Sequence, residues 1–217
     1  MNQSVIAAEN TGKLIEQTAV CSCELVLGPA AEARIPETCP LRLITYGRYV
    51  QKKGFDLLLR SFADMVAGGV DAVLTIGGSG PEEAALKQLA LELGIAEKVS
   101  LGVLIDNVAV ALDQADVFVL PSLDEPFGIV MLEAMARGLP VVTTRTQGPS
   151  QVLTDQTAFF AETGSVESLT DALKAVAADP VLAGAKASAA LELYRTTYYE
   201  DAVLPKLEAL YQSVRSR

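Results

Sequence analysis

Apolar residues recur along this chain in two rhythms, short unbroken runs and longer stripes of helical period. Leu41-Arg-Leu-Ile-Thr-Tyr46, Ala72-Val-Leu-Thr-Ile76, Lys98-Val-Ser-Leu101, Asp116-Val-Phe-Val-Leu120 and Leu139-Pro-Val-Val-Thr143 have the length and apolar content of buried parallel strands. Between them, Leu58, Leu59, Phe62 and Met65 share one helix face, and Leu86, Leu89, Ala90 and Leu93 share another. Further helical stretches cover Val108 to Gln114 and Gly128 to Arg137, where Ile129, Leu132, Met135 and Ala136 repeat before a glycine stop at Gly138. After Thr163-Gly-Ser, the stripe Val166, Leu169, Leu173, Val176 predicts a helix ending near Asp179-Pro180. A second helix follows over Val181 to Tyr194, and then an amphipathic segment from Tyr199 to Val214. Strands alternating with helices predict an α/β fold, an open parallel sheet flanked by helices and wound right-handedly. Upstream, Val5 to Ala8, Asn10 to Thr18 and Leu25 to Pro29 read as strand, helix and strand, with a boundary near Pro36 to Pro40.

Ligands bind such sheets outside the carboxyl ends of the strands, and Arg48, Gly78, Val103 and Glu125 all follow predicted strands. Pro121-Ser-Leu-Asp cannot continue the strand before it, so the chain turns there and a helix starts beside Phe127 and Gly128. A helix start leaves N–H groups unpaired at the positive end of the macrodipole, and glycine lets an anion come close; phosphate is the natural guest. Glu125 stands before this helix. Glu133 lies four residues after Ile129, leaning toward the helix start, where a carboxylate accepts from sugar hydroxyls. The alternative makes Glu125 an N-terminal helix charge and Glu133 a solvated side chain. In Gly47-Arg48-Tyr-Val-Gln-Lys-Lys53-Gly54, the planar fork of Arg48 and the compact charge of Lys53 suit a diphosphate, against the alternative of a solvated loop. Gly78-Ser-Gly-Pro81 lacks the residues of a P-loop or a dinucleotide fingerprint and reads as a tight turn with proline opening the helix.

Seventeen Lys and Arg against twenty-seven Asp and Glu give a net charge of −10, which disfavours nucleic acid and anionic membrane surfaces as partners. The sequence shows neither a signal-length apolar run nor a stretch long enough to span a bilayer, so a cytoplasmic location is expected. Cys21, Cys23 and Cys39, in a chain with no histidine, predict free thiols and no zinc site. At 217 residues the chain suits one domain plus a small appendage.

Gly47-Arg48 with Lys53-Gly54, Gly78-Ser-Gly-Pro81, Leu101-Gly102, Pro121-Ser122, Glu125-x-Phe-Gly and Glu133-Ala-Met-Ala-x-Gly-Leu-Pro-Val-Val, taken in order, resemble one family. They look like the donor-binding half of family-four retaining glycosyltransferases of the GT-B fold. The resemblance implies a Rossmann-like domain over 38–198, preceded by a remnant of the N-terminal domain and linker (1–37) and followed by a crossover helix (199–217). It implies that Arg48 and Lys53 bind the donor diphosphate, that Glu125 holds donor-sugar hydroxyls, and that Phe127, Gly128, Ile129 and Val130 touch sugar and phosphate. Glu133 matches the ribose-binding glutamate, and Val103 a position whose backbone contacts the base. The substrate is then a nucleoside-diphosphate sugar, with no metal-ligand cluster and no cofactor. The family's acceptor half, with its histidine, has no counterpart here, so the lone chain is expected to be inactive without a separate acceptor-domain chain, and a homo-oligomer is a further option. Gln151 stands where the family has Glu, and Pro126 where it has a small residue. A noncatalytic nucleotide-sugar-binding or assembly module is the alternative, and a GT-B epimerase or phosphorylase, which the glutamate pair argues against, is a third reading.

Overall fold

The computed structural model describes residues 32–36 and 39–215. The elements expected between Val5 and Pro29, with Cys21 and Cys23, lie outside the described residues. The chain alternates β1 (Leu41–Tyr46), α1 (Phe55–Ala67), β2 (Ala72–Gly77), α2 (Glu83–Glu92), β3 (Val99–Val103), α3 (Val108–Asp113), β4 (Val117–Leu120), α4 (Ile129–Ala136) and β5 (Val141–Thr144). It continues through α5 (Gln147–Val152), β6 (Phe159–Ala161), α6 (Val166–Ala178), α7 (Pro180–Thr197) and α8 (Glu200–Arg215). The six strands form one parallel sheet in the order β3-β2-β1-β4-β5-β6, so the chain runs outward one way from β1, crosses back, and runs outward the other way from β4.

Side chains alternate across the sheet, and two cores result. Leu43 and Leu74 point to the face where Leu58, Leu59, Phe62 and Met65 of α1 and Leu169, Leu173 and Val176 of α6 pack. Ile44, Phe118 and Leu120 point to the other face, against Met131, Leu132 and Met135 of α4 and Ala190 and Tyr194 of α7. Phe118 is fully buried, and truncating it to Ala would cost about 3–5 kcal/mol through the cavity left in the second core. With helices on opposite faces of the neighbouring strands β1 and β4, a crevice opens between their carboxyl ends.

Several boundaries differ from those the pattern predicts. α7 begins at Pro180 and runs three residues past Tyr194, because Asp179 accepts from the Leu182 N–H and the proline sits where no N–H is needed. Pro81 does not open α2; it lies in the turn before Glu83. β3 does not end at Leu101 but carries on through Gly102 to Val103, with an irregularity in its register opposite Ile76 and Gly77. In α8, Val203 is buried, while Leu204 and Tyr211 stay 37% and 58% exposed. Cys39 is a free thiol, and no helix among the described residues is long and apolar enough to cross a membrane.

Candidate functional site

The loop after β1 is anchored by Tyr49, which is fully buried. Its hydroxyl donates to the Ile76 carbonyl and accepts from the Gly102 N–H at 2.8 Å, while its backbone N–H donates to the Ser79 carbonyl at 2.9 Å. That grip leaves the neighbouring Arg48 on the surface. Its side chain is exposed and, among the described residues, makes no hydrogen bond or ion pair. Six residues on, Gly54 adopts φ 65° and starts α1; a Cβ there would collide with the Pro121 carbonyl. The close approach continues through the Lys52 carbonyl, which accepts from the N–H groups of Leu123 at 2.8 Å and Asp124 at 3.3 Å. The loop after β1 is thereby fastened along the loop after β4.

This fastening brings Lys53 to Glu125. Lys53 Nζ donates to Glu125 Oε2 at 2.6 Å, and the Ser122 hydroxyl lies 3.4 Å from the same oxygen. Glu125 is only 8% exposed. Its backbone carbonyl accepts from the Gly148 N–H at 2.8 Å, so the start of α5 braces it from the β5 side. Next to it, Gly128 (φ 87°, ψ 55°) starts α4 with no side-chain cap, and a Cβ there would lie 3.4 Å from Glu125 Cγ. Cation, carboxylate and helix start therefore share one corner of the crevice, beside Phe127, Ile129 and Val130.

Glu133, one turn inside α4, is half-buried, and its Oε2 accepts from the Tyr46 hydroxyl at 2.6 Å. Burial raises its pKa above the ordinary carboxylate range, and the Tyr46 hydrogen bond opposes that rise. Glu133 is therefore not the solvated side chain of the alternative reading. Val103 is not gathered with them. It closes edge strand β3, with its carbonyl accepting from the Gly78 N–H at 2.8 Å, three strands from β4 and so about 14 Å away at the usual spacing. A groove of about 850 Å³ runs past Val103, Leu104, Ile105 and Asn107, but none of Arg48, Lys53, Glu125 or Glu133 lines it. Among the described residues no three His, Cys, Asp or Glu side chains gather as a metal-ligand set. Sequence reasoning gave no site role to Tyr46, and named Ser122 only within the Pro121-Ser122 motif. Tyr46 ends an apolar strand and reads as core; its position two residues after Ile44, on the face α4 covers, was the available signal.

A doubly wound parallel sheet with its loops fastened together at the switch point is the Rossmann-like architecture of one half of a GT-B glycosyltransferase. The chain belongs to the group 1 glycosyl transferases, whose family model, described as "Glycosyl transferases group 1", matches residues 33–192. It is 33% identical over 150 residues to the lipopolysaccharide core biosynthesis glycosyltransferase LpsE of Rhizobium meliloti (strain 1021), covering 69% of this chain and 43% of that protein. Sucrose-phosphate synthase from Thermosynechococcus elongatus superposes with a TM-score of 0.73 at 26% identity, over 82% of this chain and 46% of its own. Anabaena HepE, solved with UDP and glucose, superposes with a TM-score of 0.73 at 19% identity, over 92% of this chain and 53% of its own, a likeness of fold. The chain thus spans less than half the length of curated relatives it matches, 43% and 46% in two cases.

Proposed function

We propose that this chain is the donor-binding domain of a retaining glycosyltransferase that takes a sugar from a nucleoside diphosphate and passes it to an acceptor hydroxyl. The observation that carries the reading is the Lys53–Glu125 pair beside the uncapped start of α4. The Arg48 fork, the Lys53 ammonium and the N–H groups at the start of α4 hold the diphosphate. Glu125 accepts from hydroxyls of the donor sugar, Phe127 to Val130 contact sugar and phosphate, Glu133 accepts from the ribose, and the Val103 backbone meets the base. Lys53 has three N–H donors, so it can keep its bond to Glu125 and still reach a phosphate oxygen. As the glycosidic bond breaks, negative charge grows on the departing diphosphate, and the same cations and helix start stabilise it without having to reorganise.

The sugar is the substrate's own, and the reading calls for no cofactor. The acceptor wall is supplied by a second domain or partner chain, since transfer needs an acceptor hydroxyl oriented against the anomeric carbon. The UDP and glucose bound to HepE support a nucleotide-sugar donor here. The cytoplasmic location expected from the sequence belongs to the same reading. The test is calorimetric titration with UDP-, GDP- and ADP-sugars. Tight binding of one of them is expected, and binding of none removes the reading. Binding that never leads to transfer or donor hydrolysis, whatever acceptor domain is added, would instead favour a noncatalytic module.

A further inference from the structure

Tyr46 ends β1 on the sheet face that α4 covers. Its ring stands edge-on to Phe118 of β4, with centroids 5.6 Å apart at 64°, so the direction of the hydroxyl is set by two strands. That hydroxyl donates to Glu133 Oε2 at 2.6 Å. A Glu side chain on a helix surface turns freely about its last torsion; here one oxygen is pinned, and no group among the described residues donates to Oε1. We propose that Tyr46 is the positioning residue for Glu133, fixing one carboxylate oxygen so that the other is presented to a ribose hydroxyl of a nucleoside diphosphate. The inference rests on the donor-site reading and adds a residue to it.

The surroundings of Glu133 leave this task to Tyr46. Arg137, one turn further along α4, is turned to Asp113 at 2.6 Å. Among the described residues no Lys or Arg pairs with Glu133, and from β4, β5 and α7, which also pack on α4, no other titratable group acts on it. The hydroxyl also works against the effect of burial, which favours the neutral acid, and so helps to keep the acceptor charged. Removing it releases the torsion and moves the titration of Glu133 to higher pH. Two signatures follow: weaker nucleotide binding, and an acid limb of binding that begins at a higher pH.

The experiment titrates UDP, GDP and ADP into the parent chain, Tyr46→Phe, Glu133→Gln and the double variant, from about pH 5 to about pH 8. Tyr46→Phe keeps the ring and its packing on Phe118, and the ionisation of the ligand phosphate is common to all four proteins. For the nucleotide the parent binds, Tyr46→Phe should weaken affinity by about tenfold or more, the low end of one hydrogen bond to a charged group. The pH at which binding falls away should rise, and in the Glu133→Gln background Tyr46→Phe should change neither affinity nor pH profile. An unchanged affinity and pH profile in Tyr46→Phe, or the same loss with and without Glu133, overturns the proposal and leaves the donor site standing. Binding of none of the three nucleotides by the parent overturns the donor-site reading and this proposal with it.

Discussion

Replacing Lys53 by Met tests whether the corner of the crevice is held together by charge. Two unit charges 2.6 Å apart attract with about 6 kcal/mol at an effective dielectric near 20, most of which desolvation cancels. The imbalance appears when one partner is removed. Among the described residues, Glu125, its side chain 10% exposed, would keep only the Ser122 hydroxyl at 3.4 Å, whereas the Lys53 side chain is 20% exposed. Breaking a buried pair costs about 3–5 kcal/mol, and the water that reaches this one lowers the expected cost of Lys53→Met to about 2–3 kcal/mol. Glu125→Gln keeps an acceptor for Lys53 and leaves the stranded charge on the wetter partner, so about 1 kcal/mol is expected. The double variant removes both charges and should recover much of the loss, with a coupling of about 1.5 kcal/mol or more. Urea unfolding of the four proteins, followed by circular dichroism, gives these numbers. A Lys53→Met protein within about 0.5 kcal/mol of the parent, with no coupling, would refute the reasoning.

The two glutamates should separate by ligand: Glu133→Gln is expected to weaken a nucleoside diphosphate and its sugar conjugate alike, while Glu125→Gln weakens chiefly the conjugate, each by about 1.5–3 kcal/mol in calorimetric titration. Equal effects of Glu125→Gln on both ligands would remove its sugar role. Because burial raises the Glu133 pKa, the folded chain holds that proton more tightly than the unfolded one, and the side chain's contribution to stability declines as pH rises from the unfolded to the folded value. Glu133→Gln should therefore unfold no more easily than the parent at about pH 7; a clear loss of unfolding free energy would contradict this. The chain on its own should show negligible transfer of a radiolabelled sugar, and robust turnover by the purified chain would show that no second wall is needed.

Long elements with one dominant period were legible in the sequence: α1, α4 and α6 carry apolar stripes, and β1, β2 and β4 are apolar runs between turns. Phe159-Phe-Ala161 escaped because a three-residue strand has no period to read. α5 escaped because Gly148 and Pro149 read as breakers. Its start is held from outside, by the Gly148 N–H on the Glu125 carbonyl, a contact that no local pattern encodes. At the site, residue type and spacing singled out Arg48, Lys53, Glu125 and Glu133. The ion pair between Lys53 and Glu125 spans 72 positions and exists only because the Lys52 carbonyl and Gly54 fasten one loop to another. The bond from Tyr46 to Glu133 spans 87 positions and depends on β1 lying beside β4.

The central claim is that Arg48 and Lys53 form a diphosphate site at the head of this crevice. Calorimetric titration of UDP, GDP and ADP into the parent chain and the Arg48→Ala/Lys53→Ala variant tests it most directly, with the corresponding nucleosides as controls. One diphosphate should bind the parent well and its nucleoside far more weakly. The double variant, confirmed as folded, should lose more than about tenfold in affinity, since each charge-assisted contact is worth about 1.5–3 kcal/mol. Equal affinity of the parent and the folded double variant would contradict the account.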